Sequence, residues 1–397
     1  MEEDNLINSE FSKKIIFLGI LVLLTVTAVS ILHANEYEFI ILRFPWLNLF
    51  ETSLFDSTLY ISYLIGGIIT GILSDRIGKR KIFVIVGSGF SITFFGLMPL
   101  TLDYGILLIF RFCQGLFTVS SWQVLMTMVL DLSTSKNRGR NVGVFGIFLV
   151  ISMGIGPILG GLFASMGVFI PYYVAMILNC IVFISTFFLK EPKQIKKNPS
   201  MKKILTSLQG HPKLIVPGLF NFIDRLHMGF IIFVLPIFLQ MVLNQGPELR
   251  GMVLGIYAIP LIFLQYPIGK LSDKFGRYKP LIIGSLGYGI ILSSIAFFGS
   301  YNFFTLIILF VILGIFAGIT TPPAMALVGD IVEKEETAIG MGFFNFFGNI
   351  GIIIGPLIAG YLITYSNFDF AFLIAGTIEL ISLGIILIIL LKFKDLG

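Results

Sequence analysis

The sequence predicts an all-α membrane protein with twelve transmembrane helices in two pseudosymmetric six-helix bundles. Three observations carry that expectation. Charged residues make up only 12% of the 397-residue chain, hydrophobic residues 56%, and the mean hydropathy is +0.97, against about 25% charge in an ordinary soluble domain. Apolar runs of about 20 residues, the length that crosses a bilayer, number twelve, six in each half. The turn Ser74-Asp75-Arg76-Ile77-Gly78-Lys79-Arg80 returns as Ser272-Asp273-Lys274-Phe275-Gly276-Arg277-Tyr278, 198 positions later, so one unit is written twice.

The spans lie near 14–34, 57–75, 81–101, 105–130, 141–166, 169–189, 213–241, 250–272, 279–299, 302–327, 339–363 and 368–391. They divide the chain into an N-terminal bundle over 1–189, a cytoplasmic linker over 190–212 and a C-terminal bundle over 213–397. Residues 1–10 are acidic and lack a basic n-region, and no small-residue cleavage site follows span one, so no removable signal peptide is expected. Hydropathy favours ending span one near Ala34, with residues 35–50 outside the membrane. The alternative continues it toward Pro45, taking His33, Asn35, Glu36 and Glu38 into the membrane or its vestibule. Phe39-Ile40-Ile41 and Pro45 resemble Phe230-Ile231-Ile232 and Pro236 at a displacement of 191, so this region is not a plain copy of span seven.

Spans two and three flank the first charged turn, and spans eight and nine the second; Gly71 and Gly269 close the preceding apolar runs. Asp131 after span four matches Asp330 after span ten, and Gly156-Pro157-Ile158-Leu159-Gly160-Gly161 in span five matches Gly355-Pro356-Leu357-Ile358-Ala359-Gly360 in span eleven, both displaced by 199. The lysine-rich linker is too short for a domain and reads as a cationic strip on the inner leaflet. Cys113 and Cys180 fall inside spans, where a small apolar residue is the ordinary reading.

The net charge of +5 reports topology. With the N-terminus inside, every Lys and Arg except Arg43, Arg111, Arg225 and Arg250 falls on one side or in the turns facing it, which puts both termini in the cytoplasm. No nucleic-acid partner is implied. No cofactor fingerprint appears, nor metal-ligand spacing such as HExxH, a Ser-His-Asp arrangement or a phosphate loop, so neither an enzyme nor a metal site is expected.

In the first turn Gly71 allows close helix approach, Asp75 faces the positive end of a neighbouring helix, and Gly78 permits a sharp reversal. Lys79 and Arg80 then reach acidic groups at nearby helix ends, Asp131 first among them. Such a cluster, with Arg76 and its second-half equivalents Asp273, Lys274, Gly276, Arg277 and Asp330, can hold one face shut and release it. Each charged contact contributes about 0.3–1 kcal/mol, enough in number to bias a two-state equilibrium. These residues resemble the signature of the major facilitator superfamily in the loop between its second and third spans, and the resemblance covers essentially the whole chain. It implies the major facilitator fold. Lys79 stands where the family more often has arginine, which suggests a weaker latch in the first half.

Arg111-Phe112-Cys113-Gln114-Gly115 in span four resembles the family's Arg-x-x-Gln-Gly motif, which its proton-coupled members place toward the central pathway. A buried arginine costs about 2.5–3.5 kcal/mol on insertion scales and needs a partner or water; the alternative is an outer-end charge snorkelling to headgroups. Gly156-Pro157-Ile158-Leu159-Gly160-Gly161 resembles the span-five motif of the superfamily's antiporters, and its GxxxG spacing together with a proline makes a closely packed, pliable helix.

Asn221-Phe222-Ile223-Asp224-Arg225-Leu226-His227 stands apart from any named motif. Asp224 falls near the bilayer midplane, counted at about 1.5 Å per residue from Lys213. Asp224 and Arg225 point to different helix faces, whereas Asp224 and His227, at i and i+3, share one and form a candidate proton carrier. Glu379, mid-span in helix twelve, reads as a protonated packing residue. The remaining pathway candidates include Trp122, Gln123 and Gln265, with Ser120, Ser121, Thr320 and Thr321 beside them.

Together with the resemblance, these residues point to a secondary active transporter working by alternating access, best read as proton-coupled antiport that exports a small organic or amphipathic compound. Asp224, His227 and Arg111 are the candidates for proton coupling. An organic-anion importer or exchanger using Arg111 and Arg225, and a non-transporting sensor on the same fold, are the alternatives. The expected partners are a small molecule, protons and the bilayer of the cell membrane, and the expected state is a monomer.

Overall fold

A computed structural model describes residues 2–134, 137–191, 210–333 and 336–394, so most of the expected linker lies outside the described residues. Thirteen helices and two short 3-10 turns account for nearly all of that backbone, and no strand occurs among the described residues. In order they are α1 (Glu2–Ser30), α2 (Glu36–Arg43), α3 (Leu49–Ile77), α4 (Lys81–Leu97), α5 (Tyr104–Leu132), α6 (Arg138–Met166) and α7 (Ile170–Thr186). The second half supplies α8 (Ile215–Met241), α9 (Pro247–Phe275), α10 (Tyr278–Phe298), α11 (Phe303–Ile331), α12 (Thr337–Tyr365) and α13 (Phe368–Lys394). Eleven are long and apolar enough to cross a membrane, and α7 is a shorter apolar helix. With the eight-residue α2 set aside, these are the twelve expected spans.

Several helix ends follow from local chemistry. Asp103 Oδ1 accepts the Ile106 amide at 2.9 Å to start α5, and Asn302 Oδ1 accepts the Thr305 amide at 2.8 Å to start α11. These caps satisfy otherwise orphaned amides and stand at matching places in the two halves, another trace of the duplication. The start of α3 precedes the expected span because Asn48 and Glu51 form a reciprocal capping box: the Asn48 amide donates to Glu51 Oε2 at 2.8 Å and the Glu51 amide to Asn48 Oδ1 at 2.9 Å. Hydropathy does not register that polar first turn.

The chain divides into two compact units, Met1–Pro45 with Ile61–Pro199, and Trp46–Tyr60 with Ser200–Gly397. The first turns of α3 therefore group with the second unit, where the Phe50 amide donates to Thr364 Oγ1 at 2.8 Å and Ser57 Oγ donates to the Ile353 carbonyl at 2.9 Å. In the first unit α1 packs on α6, and α4 packs on α5 and α7. The second repeats those pairings, with α8 on α12 and α10 on α11 and α13. Each unit has its own apolar core, one around Leu18, Val84, Leu125 and Phe145, the other around Val216, Leu281, Leu327 and Phe344. Large apolar side chains also stand exposed on the helices, among them Ile109, Phe263 and Ile388, as lipid-facing surfaces require.

The motif glycines sit where two backbones meet. A Cβ at Gly160 would overlap the Ile31 carbonyl oxygen, and one at Gly156 the Ser30 hydroxyl, which itself donates to the Ser152 carbonyl at 2.9 Å. Gly161 and Pro157 are buried in the same helix. In the second unit a Cβ at Gly355 would overlap the Leu226 carbonyl, and one at Gly360 would lie 2.7 Å from Ser53 Oγ and 2.8 Å from the Leu49 carbonyl. Pro356 packs beside them, its Cδ 3.0 Å from where a Gly229 Cβ would stand.

Candidate functional site

The polar centre of the first unit is built on one face of α5. Arg111 is fully buried, and Arg111, Gln114 and Thr118, at i, i+3 and i+7, share a stripe. Arg111 Nη2 donates to Glu36 Oε1 at 2.5 Å and Nη1 to Gln114 Oε1 at 3.2 Å; Gln114 Nε2 donates to Thr118 Oγ1 at 2.9 Å, and Thr118 shares a 2.9 Å hydroxyl contact with Ser91. His33 Nδ1 lies 3.4 Å from the other Glu36 oxygen.

The first helix stops before residue 35, as hydropathy favours for span one. After α1 ends at Ser30 a turn follows, and α2 begins at Glu36, with Asn35 and Glu36 buried inside the protein. The physical reason is Arg111, since a buried guanidinium is tolerable only with a carboxylate beside it. Full burial likewise removes the snorkelling alternative for Arg111.

The charged turns form two matching latches. Arg80 Nη2 lies 2.7 Å from Asp75 Oδ1, Arg80 Nε donates to Asp131 Oδ2 at 2.9 Å, and Arg80 Nη1 donates to Ser74 Oγ at 2.6 Å. Arg277 does the same in the second unit, with Nε donating to Asp330 Oδ2 at 2.8 Å, and Nη1 donating to Ser272 Oγ at 2.9 Å and to Asp273. The hydrogen bond to Asp330 holds the Arg277 guanidinium above its ordinary pKa. Gly78 and Gly276 take φ of +69° and +86° to turn the chain, a region open to glycine at little cost.

This geometry overturns the expectation that Lys79 weakens the first latch. The repeat aligns Lys79 with Arg277, yet Arg80, one residue on, takes the latch position, and Lys79 is exposed, as is Arg76. The first latch is also the more enclosed: Asp75 and Asp131 are 28% and 21% exposed, against 65% and 49% for Asp273 and Asp330. Exposed pairs contribute little and enclosed ones more. Thermal unfolding of the solubilised protein is expected to register a loss of about 2 kcal/mol for Arg80→Ala and about 1 kcal/mol or less for Arg277→Ala; equal losses would contradict the difference in enclosure. Gly71 stands near Gln123, while Gly269 has open space beside it, and Lys274 lies over the Phe275 ring at 5.3 Å.

In the second unit the polar centre surrounds a small cavity lined by Phe220, Asp224, Tyr288, Thr320 and Glu379. Asp224 accepts a long hydrogen bond from Thr320 Oγ1, at 3.4 Å, and the ionisable side chains near it are Arg225, Glu379 and His227. His227 is fully buried; its Nε2 lies 2.9 Å from the Ala375 carbonyl and its Nδ1 2.9 Å from Glu379 Oε2. Ser285 Oγ donates to Glu379 Oε1. Asp224 and His227 thus do not bond each other: His227 contacts Glu379, and Glu379 lines the same cavity as Asp224, so it is part of the cluster instead of a packing residue.

Other sequence candidates scatter. Asn221 Nδ2 donates to the Phe344 carbonyl at 2.7 Å, Arg225 Nη1 points to Met228 Sδ at 3.3 Å, and Gln123 Nε2 donates to the Gly67 carbonyl at 3.2 Å. Trp122 packs against the first unit's apolar core, and Gln265 is exposed. Neither Glu36 nor Ser285 stands out in the sequence as a site residue. The need of an internal arginine for an acidic partner was the available signal for Glu36; Ser285 offered none.

A family model described as Major Facilitator Superfamily matches residues 15–225 and 217–395. The chain is 26% identical over 350 residues to the bacillibactin exporter of Bacillus subtilis (strain 168), covering 85% of this chain and 87% of that protein. It is 24% identical over 344 residues to multidrug resistance protein 2 of the same organism, covering 83% of each. Among solved structures, nucleoside transporter NupG is similar in fold, with a TM-score of 0.77 at 13% identity over 94% of this chain and 98% of that one.

Proposed function

The chain belongs to the major facilitator superfamily and is a multi-pass membrane transporter, and from that premise we propose that it works as a proton-coupled antiporter exporting a small organic or amphipathic compound by alternating access. The observation that carries the reading is the pair of carboxylates, Asp224 of α8 and Glu379 of α13, lining one cavity, with His227 buried against Glu379. Ionisable groups inside a span are costly and persist where they move ions or protons. Asp224, weakly bonded and facing that cavity, has the least to lose by changing protonation. Two relatives that are exporters or drug-resistance proteins by name support the direction. The Arg80 and Arg277 latches would close the cytoplasmic face, with both termini on that side of the cell membrane.

Anion exchange is less well supported, because Arg111 is already engaged by Glu36 and Arg225 points to a thioether. The test is uptake or release of a panel of amphipathic compounds by proteoliposomes under an imposed pH gradient, with Asp224→Asn alongside. Gradient-driven flux is expected for the parent and a loss of at least tenfold for the variant. Flux that persists unchanged in Asp224→Asn removes Asp224 as a carrier, and a parent inert toward the whole panel removes the export reading.

A further inference from the structure

We infer that His227 and Glu379 form a proton-binding site of their own, a pair that holds one exchangeable proton between α8 and α13 and is distinct from the Asp224 carboxylate. Any part this site plays in export rests on the antiport reading above. The site itself stands on geometry.

The Ala375 carbonyl can only accept, so the His227 Nε2 at 2.9 Å from it carries a hydrogen and the tautomer is settled on that side. The other ring nitrogen, Nδ1, lies 2.9 Å from Glu379 Oε2. An imidazole lone pair and a bare carboxylate oxygen repel at that separation, so one proton occupies Nδ1 or Oε2. The pair is then neutral overall, either imidazolium with carboxylate or imidazole with carboxyl. Its side chains are 1% and 7% exposed, and losing the proton would leave a net negative charge in that enclosure. The Ser285 hydroxyl steadies the second Glu379 oxygen.

Two features make the proton exchangeable rather than locked. Oε2 lies off the axis of a well-formed hydrogen bond, since Nδ1 has no such partner among the described residues. Glu379 also lines the cavity, giving water a place to meet the carboxylate.

The surroundings show what the pair responds to. α8 itself brings Asp224 and Arg225, α9 brings Tyr257, and α10 brings Tyr288, whose ring lies 5.4 Å from that of His227 and whose hydroxyl lies 3.4 Å from that of Tyr257. Asp330, engaged by Arg277, is the one charged side chain α11 carries. The titratable residues of α12 are Tyr361 and Tyr365, both exposed. Asp224 is therefore the carboxylate that faces Glu379 across the cavity.

Three histidines in the chain make the test tractable. The full-length protein, labelled with 15N-histidine and held in nanodiscs, is titrated by NMR, the His227 signals being those absent from His227→Gln. His227 in Glu379→Gln is expected to bind its proton at least tenfold more weakly than in the parent, with Glu379→Asp recovering part of the loss and Asp224→Asn shifting the transition less. A transition within twofold of the parent in Glu379→Gln overturns the site. Should that variant fail to fold, infrared pH-difference spectra of the parent and Ser285→Ala decide: a carboxyl or imidazole band displaced in Ser285→Ala supports the pair, and identical spectra overturn it. The failures are separable. An intact His227–Glu379 transition without gradient-driven flux sinks antiport alone, and an unshifted transition sinks the pair whatever the flux.

Discussion

Arg111→Ala is expected to lower the stability of the solubilised protein by about 3–5 kcal/mol and to abolish transport, while the double variant Arg111→Ala/Glu36→Gln recovers more than half of the lost stability without regaining flux. Burial is the cause. Arg111 is wholly enclosed and Glu36 nearly so, and removing one partner of such a pair strands the other as an uncompensated charge. Neutralising the stranded carboxylate removes that penalty, so the two substitutions are strongly non-additive. Gln114 and Thr118 would lose their place in the hydrogen-bonded row as well, because Gln114 Oε1 is held by Arg111 Nη1 and its amide by Thr118. Denaturation of both single variants and the double variant in one detergent provides the cycle. A single variant as stable as the parent, or a double variant no better than Arg111→Ala alone, would show that Glu36 does not depend on Arg111 for its charge.

That pair also marks where the sequence stops being legible. Arg111 stands out because a lone arginine in an apolar run is rare, and the charged turns stand out because they recur at half-chain spacing. The Arg80–Asp131 contact could be named in advance since both residues sit at helix ends, where short loops limit the possible neighbours. The register of the latches could not: Arg277 aligns with Lys79 yet takes the part of Arg80, a matter of turn geometry that a one-dimensional alignment does not carry. Glu36 was hidden for another reason. The chain breaks at residues 31–35 between α1 and α2, and a hydropathy window averages that break into a span end followed by an external loop. Glu379 is harder still. Its partner His227 lies five helices earlier in the chain, and α13 is apolar on nearly every side, so periodicity gives no face and no neighbour. Spacing put Asp224 and His227 on a common side of α8, but only the packing of α13 shows the second carboxylate, against His227 and on the cavity that Asp224 lines.

Gly355→Ala is expected to cost about 3 kcal/mol and to disturb the His227–Glu379 contact, although the substituted position touches neither residue. A Cβ at Gly355 would overlap the Leu226 carbonyl oxygen and stand 2.7 Å from the Phe230 nitrogen. Both are backbone atoms of α8, so no side-chain rotation relieves the clash and the two helices must part. Overpacking of this kind costs about 1–3 kcal/mol, and the seam is shared: a Cβ at Gly351 would overlap the Phe222 carbonyl, and one at Gly229 would stand 2.7 Å from the Ile352 carbonyl. At about 100° per residue, positions 222, 226 and 229 of α8 cluster on the side facing α12, while 220, 224 and 227 cluster on the opposite side, facing the cavity and α13. Pushing α8 off α12 therefore drives Asp224 and His227 toward Glu379 and Thr320, in a region where ångström shifts decide whether a proton is shared. Gly342→Ala, on the same helix with open space around it, is the control and is expected to be neutral or stabilising by up to about 1 kcal/mol through helix propensity. Melting of the two variants side by side checks the first part, and the His227 NMR transition checks the second. If Gly355→Ala melts with Gly342→Ala and leaves that transition in place, the glycine seam does not set the position of α8, and the alignment of its two titratable residues with the cavity has some other cause.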